Sequence, residues 1–132
     1  MTTIRVDVNQ IGPATSEGSA RGHRVLIDRP ESKGGHDRGA MGGELLLAAL
    51  GGCFMSNLLA AIKAREAEIA DVRLVVEGTL ADSPQRYEAI TVTVAAHHSD
   101  KALLEKLVTM SDRACIVSNT LRGSVDLQFV ID

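Results

Sequence analysis

Apolar and polar positions alternate clearly in five stretches of the chain and recur with helical spacing in others. Ile4, Val6 and Val8 oppose Arg5, Asp7 and Asn9, which predicts a half-buried strand. Gly12-Pro13 and Ser16-Glu17-Gly18-Ser19 read as turns. A second strand is expected over Arg21 to Asp28, with Arg21, Val25 and Ile27 on the core side and Arg24 on the other. From Arg29 to Gly43 no periodicity is visible, and five glycines and one proline mark a long loop, either a functional lid or a plain connection. Glu44 to Ala67 then carries the strongest helical pattern: Leu46, Leu50, Cys53, Asn57 and Ala60 form one stripe, and charge appears only in the last turns.

Beyond that helix, Val72 to Leu80 and Tyr87 to Ala96 alternate as strands around the turn Asp82-Ser83-Pro84, which predicts an antiparallel pair. Ser99 is the expected cap of a helix from Asp100 to about Met110, with Leu103, Leu104 and Leu107 inward and Lys101, Glu105 and Lys106 in solvent. Ser111 or Asp112 is placed at the start of a shorter helix that carries Cys115 and ends near Leu121. Ser124 to Ile131 alternates as a final strand. Strands, long helix, strands, helices and strand in that order give an α+β fold rather than repeated βαβ units. A length of 132 residues is read as a single domain, 1–132.

Composition narrows the function. With 45% hydrophobic and 23% charged residues the chain is an ordinary globular one, and with 2% aromatics its core must be aliphatic. A net charge of −3 and no Trp leave neither a basic field nor stacking platforms, so no nucleic-acid partner is expected. Leu45 to Ile62 is uncharged over eighteen residues, enough to raise a membrane span. Its glycines, Ser56 and Asn57, and the lack of Trp or Tyr at its ends, favour a buried core helix and no membrane. The start of the chain has no basic-then-apolar signal, and two cysteines make no disulfide scaffold, so a cytoplasmic setting is expected.

His23, His36, His97 and His98 fit no compact ligand set, so no metal is expected; the 34–43 glycines lack a phosphate-loop ending, and Ser56 and Ser118 lack a nucleophile elbow. The cysteines remain. Either thiol could be an inert small hydrophobe, or the two could form a redox pair, because helices can bring positions 53 and 115 together.

The local sequences separate these readings. Glu44-Leu45-Leu46-Leu47-Ala48-Ala49-Leu50-Gly51-Gly52-Cys53 resembles the first cysteine motif of the OsmC/Ohr family of osmotically inducible and organic hydroperoxide resistance proteins. Ala114-Cys115-Ile116-Val117-Ser118-Asn119-Thr120-Leu121 resembles the second, which usually has Pro where this chain has Ile116. Gly22-His23-Arg24-Val25-Leu26-Ile27-Asp28 is similar to the N-terminal strand of a short-chain branch.

The resemblance implies a two-layer α+β fold, an intertwined homodimer with its sites at the subunit interface, and a cofactor-free thiol peroxidase. Cys53 would attack a small organic hydroperoxide, Cys115 would resolve the sulfenic acid, and an external dithiol would reduce the disulfide. It also implies an Arg holding the thiolate, for which Arg21, Arg24 and Arg38 are candidates, and a Glu orienting that Arg. The family's Glu stands ten residues before the first cysteine; here that position is Gly43, and Glu44 stands nine before, about 100° round a helix. The competing reading is a non-catalytic dimer of the same fold that binds a small apolar ligand in the interface pocket.

Overall fold

A computed structural model describes all 132 residues, and the chain divides into two compact units, Met1–Leu46 and Leu47–Asp132.

The first unit is a three-stranded antiparallel meander of β1 (Asp7–Gln10), β2 (Ser16–Ala20) and β3 (His23–Ile27), followed by a looped segment. It departs from the sequence reading in three ways. Ser16-Glu17-Gly18-Ser19 is not a turn but the central strand, since both its edges are paired and Gly18 is buried under Val25 and Ile27. The first strand is not half-buried: Ile4, Val6 and Val8 are all more than half exposed. Arg21 is not on a strand face. With Gly22 it forms a two-residue hairpin turn, both residues at positive φ (52° and 84°), and its side chain is exposed.

What this unit lacks in apolar burial it replaces with a buried carboxylate. Asp28 is 3% exposed and accepts hydrogen bonds from the Thr15 hydroxyl (2.8 Å) and from the amides of Arg29 (2.6 Å), Arg38 (3.3 Å) and His36 (3.4 Å). Burial alone would raise its pKa, but these four donors outweigh it and hold the carboxyl below the ordinary Asp value. The 29–43 segment is therefore not free: a single 3₁₀ turn (Glu31–Lys33) and the Asp28 bonds fold it onto β3, where Ala40 bridges Ile27. Gly39 packs so close to β3 that a Cβ would strike the Leu26 carbonyl.

Helix α1 (Gly42–Ala64) begins in the first unit and continues into the second. Its start is fixed by Glu44, whose carboxylate accepts the Met41 amide at 2.9 Å, the reciprocal half of a capping box. Within the second unit follow β4 (Ile69–Ala81), β5 (Arg86–His98), α2 (Lys101–Ala114), α3 (Ile116–Leu121) and β6 (Asp126–Ile131). Strands β4 and β5 form the expected antiparallel hairpin, with Leu74 opposite Val94 and Val76 opposite Val92; β6 returns parallel to β5, with Phe129 opposite Val92.

The helices cover one face of this sheet. Leu50, Phe54 and Leu58 of α1 meet Ile90, Val92 and Val94 of β5, and Leu104, Leu107 and Val108 of α2 complete the core with Cys115. Phe54 and Phe129 stack at 4.7 Å, so one of the few aromatic contacts ties α1 to β6. Gly51 lets α1 approach β4 closely: a Cβ there would lie 3.1 Å from the Val76 methyl.

Two further differences bear on the site. The buried face of α1 is Leu50, Gly51, Phe54 and Leu58 rather than the stripe through Leu46 and Ala60, both of which are exposed. And α2 runs four residues past Met110, capped by the Asp100 carboxylate on the Leu103 amide at 3.1 Å rather than by Ser99. Ser111 sits inside it, bonding back to the Leu107 carbonyl at 2.7 Å. Cys115 itself, extended at φ −79° and ψ 118°, separates α2 from α3 and caps the latter.

Candidate functional site

The break at Cys115 positions one sulfur, and helix α1 delivers the other. Cys115 is fully buried at the joint, and its Sγ accepts the Ser118 amide at 3.4 Å as the N-cap of α3. Cys53 stands on α1 beside the buried Phe54, at the margin of the core face, and is half-buried. Both thiols are free, and the Cys115 S–H lies within hydrogen-bonding reach of Cys53 Sγ.

The environment of Cys53 favours its charged form. Partial burial opposes ionisation, since it strips water from a thiolate. Against it act hydrogen bonding from the Val117 amide, the Cys115 thiol and the Ile116 amide, and together they hold its pKa below the ordinary thiol value. Oriented backbone N–H groups stabilise sulfur anions in this way without any side-chain cation. Between the two thiols, Cys115 acts as the donor and Cys53 as the acceptor.

Of the residues singled out in the sequence, Cys53 and Cys115 come together within the second unit. The other candidates belong to the first. Arg24 extends from β3 with Glu17 at 3.9 Å, Arg21 projects from the hairpin turn, and Glu44 is engaged with the Met41 amide. Arg38 follows the loop that Asp28 holds, with its own amide on that carboxylate. Sequence reasoning missed the Ile116 and Val117 amides entirely, because a backbone donor has no residue type to betray it. The only available signal was that neither position is proline.

An open groove of about 760 Å³ runs on another side of α1, lined by Ala48, Gly52 and Met55 together with Val72, Leu74 and Val76. Although α1 is long and apolar enough to cross a membrane, only 22% of its most apolar window is buried within the chain, so the expected core helix is covered on one face only. No group of three or more metal-ligating side chains occurs in the structure.

The family model described as OsmC-like protein matches residues 35–130. Among solved structures, a hypothetical protein from Aquifex aeolicus VF5 superimposes with a TM-score of 0.86 at 21% identity, over 100% of this chain and 96% of that one. An organic hydroperoxide resistance protein OsmC from Legionella pneumophila matches with a TM-score of 0.72 at 21% identity, over 100% and 98%. The organic hydroperoxide resistance protein OhrB of Bacillus subtilis gives 0.72 at 22%, over 99% and 98%. At these identities the likeness establishes the fold. No curated protein matches the sequence significantly.

Proposed function

The chain belongs to the OsmC-like protein family, and on that premise we propose that it is a thiol peroxidase reducing small organic hydroperoxides through Cys53 and Cys115. The observation that carries this reading is the meeting of two free thiols, one of which is favoured as a thiolate by donors from the other's own helix turn.

The chemistry follows from that inequality. The Cys53 thiolate attacks the terminal peroxide oxygen, the O–O bond breaks, and the leaving alkoxide takes up a proton to become the alcohol. Cys53 is then a sulfenic acid. Cys115, already beside it, attacks that sulfur; the S–S bond forms, and the departing hydroxide leaves as water with the Cys115 proton. A dithiol of the cytoplasm returns both sulfurs to thiols and is itself oxidised to a disulfide, so two electrons pass from dithiol to peroxide. Arg21, Arg24 or Arg38 adds a cation to the thiolate in this reading, and Glu44 orients it.

The working unit is an intertwined homodimer. Its support is the uncovered side of α1, where Leu59 is 49% and Leu46 38% exposed on a helix that is apolar all round. A second copy of the chain is the partner that would cover it.

The test is titration of the reduced protein with cumene hydroperoxide and with hydrogen peroxide, thiols being counted by mass spectrometry. Stoichiometric conversion to a Cys53–Cys115 disulfide, faster with the organic peroxide and abolished by Cys53→Ser, is the expected result. Unchanged turnover in Cys53→Ser would end the proposal. The open groove beside α1 favours a second reading, a non-catalytic binder of a small apolar molecule. It predicts sluggish thiol oxidation and tight retention of an apolar probe whether or not both cysteines are replaced by Ala.

A further inference from the structure

Helix α2 ends at the joint that carries Cys115, and its last carbonyls have no helical partners there. Three of them find other donors. The Asp112 carbonyl accepts the Cys115 amide at 3.1 Å, and the Arg113 carbonyl accepts Nδ2 of Asn119 from α3 at 2.9 Å. Because the Cys115 amide bonds Asp112, the Ser111 carbonyl four residues before it loses the donor that a continuing helix would supply. It accepts Nδ2 of Asn57 instead, which reaches across from α1 at 3.5 Å.

The donor from α1 is the informative one. Apart from Cys53, the polar side chains between Leu45 and Ile62 are Ser56 and Asn57. Ser56 Oγ turns back onto its own helix, to the Gly52 carbonyl at 3.0 Å, whereas Asn57 leaves it. Asn57 stands about one turn beyond Cys53, and Ser111 about one turn before Cys115, so the contact lies one turn from each cysteine on its own helix. Alanine would suit the helix better than asparagine. A half-buried amide beside Phe54 and Leu58 is also unfavourable unless it is bonded. The side chain is explained by what it holds.

We propose that Asn57 is a positioning residue for the Cys53–Cys115 couple: its side-chain amide ties the Cys115 joint to the helix of Cys53 and favours closure of the disulfide. This rests on the cysteine pairing of the peroxidase reading, but not on its peroxide chemistry. With both thiols free, the Asn57 bond is at the long end of the hydrogen-bond range. A covalent bond between the sulfurs draws the joint towards α1, and one turn away the same movement shortens the Asn57 contact. The hydrogen bond is therefore stronger in the oxidised protein, and it acts on the second half-reaction, after Cys53 has met its oxidant.

The test equilibrates the full chain in buffers of reduced and oxidised glutathione and counts the Cys53–Cys115 disulfide by mass after acid quenching. In that exchange one glutathione disulfide takes two electrons and two protons from the thiol pair and becomes two glutathione thiols. Asn57→Ala should lower the equilibrium constant for closure about fivefold, the effect of one neutral hydrogen bond, which raises the reduction potential by about 20 mV. Ser56→Ala, adjacent but bonded within α1, is the control and should leave the potential where it was. A merely structural Asn57 would weaken both redox states alike. An unchanged constant in Asn57→Ala would therefore overturn the proposal.

Should Asn57→Ala fail to fold, linkage supplies the answer from the unsubstituted protein. A bond that favours the disulfide must be favoured by it in equal measure, so the Asn57 side-chain protons should exchange with water about fivefold more slowly once the disulfide has closed. Equal exchange in the two redox states would equally overturn the proposal. Neither readout uses peroxide. A potential that shifts as expected in a protein inert to hydroperoxide would refute the peroxidase reading and leave the role of Asn57 standing. Peroxide turnover with an unmoved potential would do the reverse.

Discussion

The two units of this chain are held together by different physics. All ten buried hydrophobic residues, from Leu50 to Cys115, lie in the second unit, where two helices pack on a three-stranded sheet. In the first unit the side chains classed as buried are Thr15 and Asp28, and they are bonded to each other. Apolar burial is non-directional and scales with area, so the second unit resists acid and yields to cavities. A carboxylate collecting four hydrogen bonds is directional and charged, so the order of the first unit depends on pH. The difference teaches that a small sheet without a core can still be ordered if one buried acceptor gathers the amides of its loop.

The largest effect should come from opening the core. Phe54→Ala removes the ring that stacks on Phe129 and should cost about 3–5 kcal/mol in chemical denaturation. If the units differ as described, amide exchange should rise throughout Leu47–Asp132. A loss below about 1 kcal/mol would mean that the few aromatics are dispensable.

Smaller is the effect of cutting the polar clasp. Thr15→Val keeps the shape but deletes the hydroxyl donor to Asp28, and should cost about 1 kcal/mol. Its signature is regional: the amides of Arg29, His36 and Arg38 should exchange faster while those of β5 do not change. Asp100→Ala offers a calibration of similar size, about 1 kcal/mol, from loss of the α2 cap in the other unit.

Acid provides the gentlest discrimination. Because the Asp28 pKa is lowered on folding, its contribution is fully present above the ordinary carboxylate value and is lost as pH falls through the folded pKa. Loop amides 29–38 should therefore open first below pH 4, before the second unit responds, and Asp28→Asn should remove that pH dependence. Simultaneous opening of both units would erase the contrast.

What the sequence disclosed follows the same division. The helix α1 and strands β4 to β6 emerge within a few residues of their true bounds, because long elements on a real core must carry its periodicity. Strand β2 does not, since Ser-Glu-Gly-Ser has no core to alternate against and reads as a turn. Arg21 was assigned to a strand face because an Arg-Gly pair in a tight hairpin looks like strand until its positive φ values are seen. On α1 the stripe read through Leu46 and Ala60 is not the covered face, because nearly every position there is apolar and the pattern discriminates poorly.

The site was legible only in part. Both cysteines stood out by residue type, and their meeting was open to helices from distant parts of the chain. Their inequality was not legible. Ile116 stands where the motif has Pro, and its exposed side chain gave the sequence no reason to connect its backbone with Cys53.

The parallel pairing of β6 with β5 has a consequence for the chain as it is made. Strand β5 can find β4 as soon as their hairpin leaves the ribosome, but its other edge must wait for β6, which begins only at Asp126. Phe54 waits as well, since its ring partner arrives on that same strand. The nascent protein therefore carries a finished hairpin, an open sheet edge and an apolar helix at once.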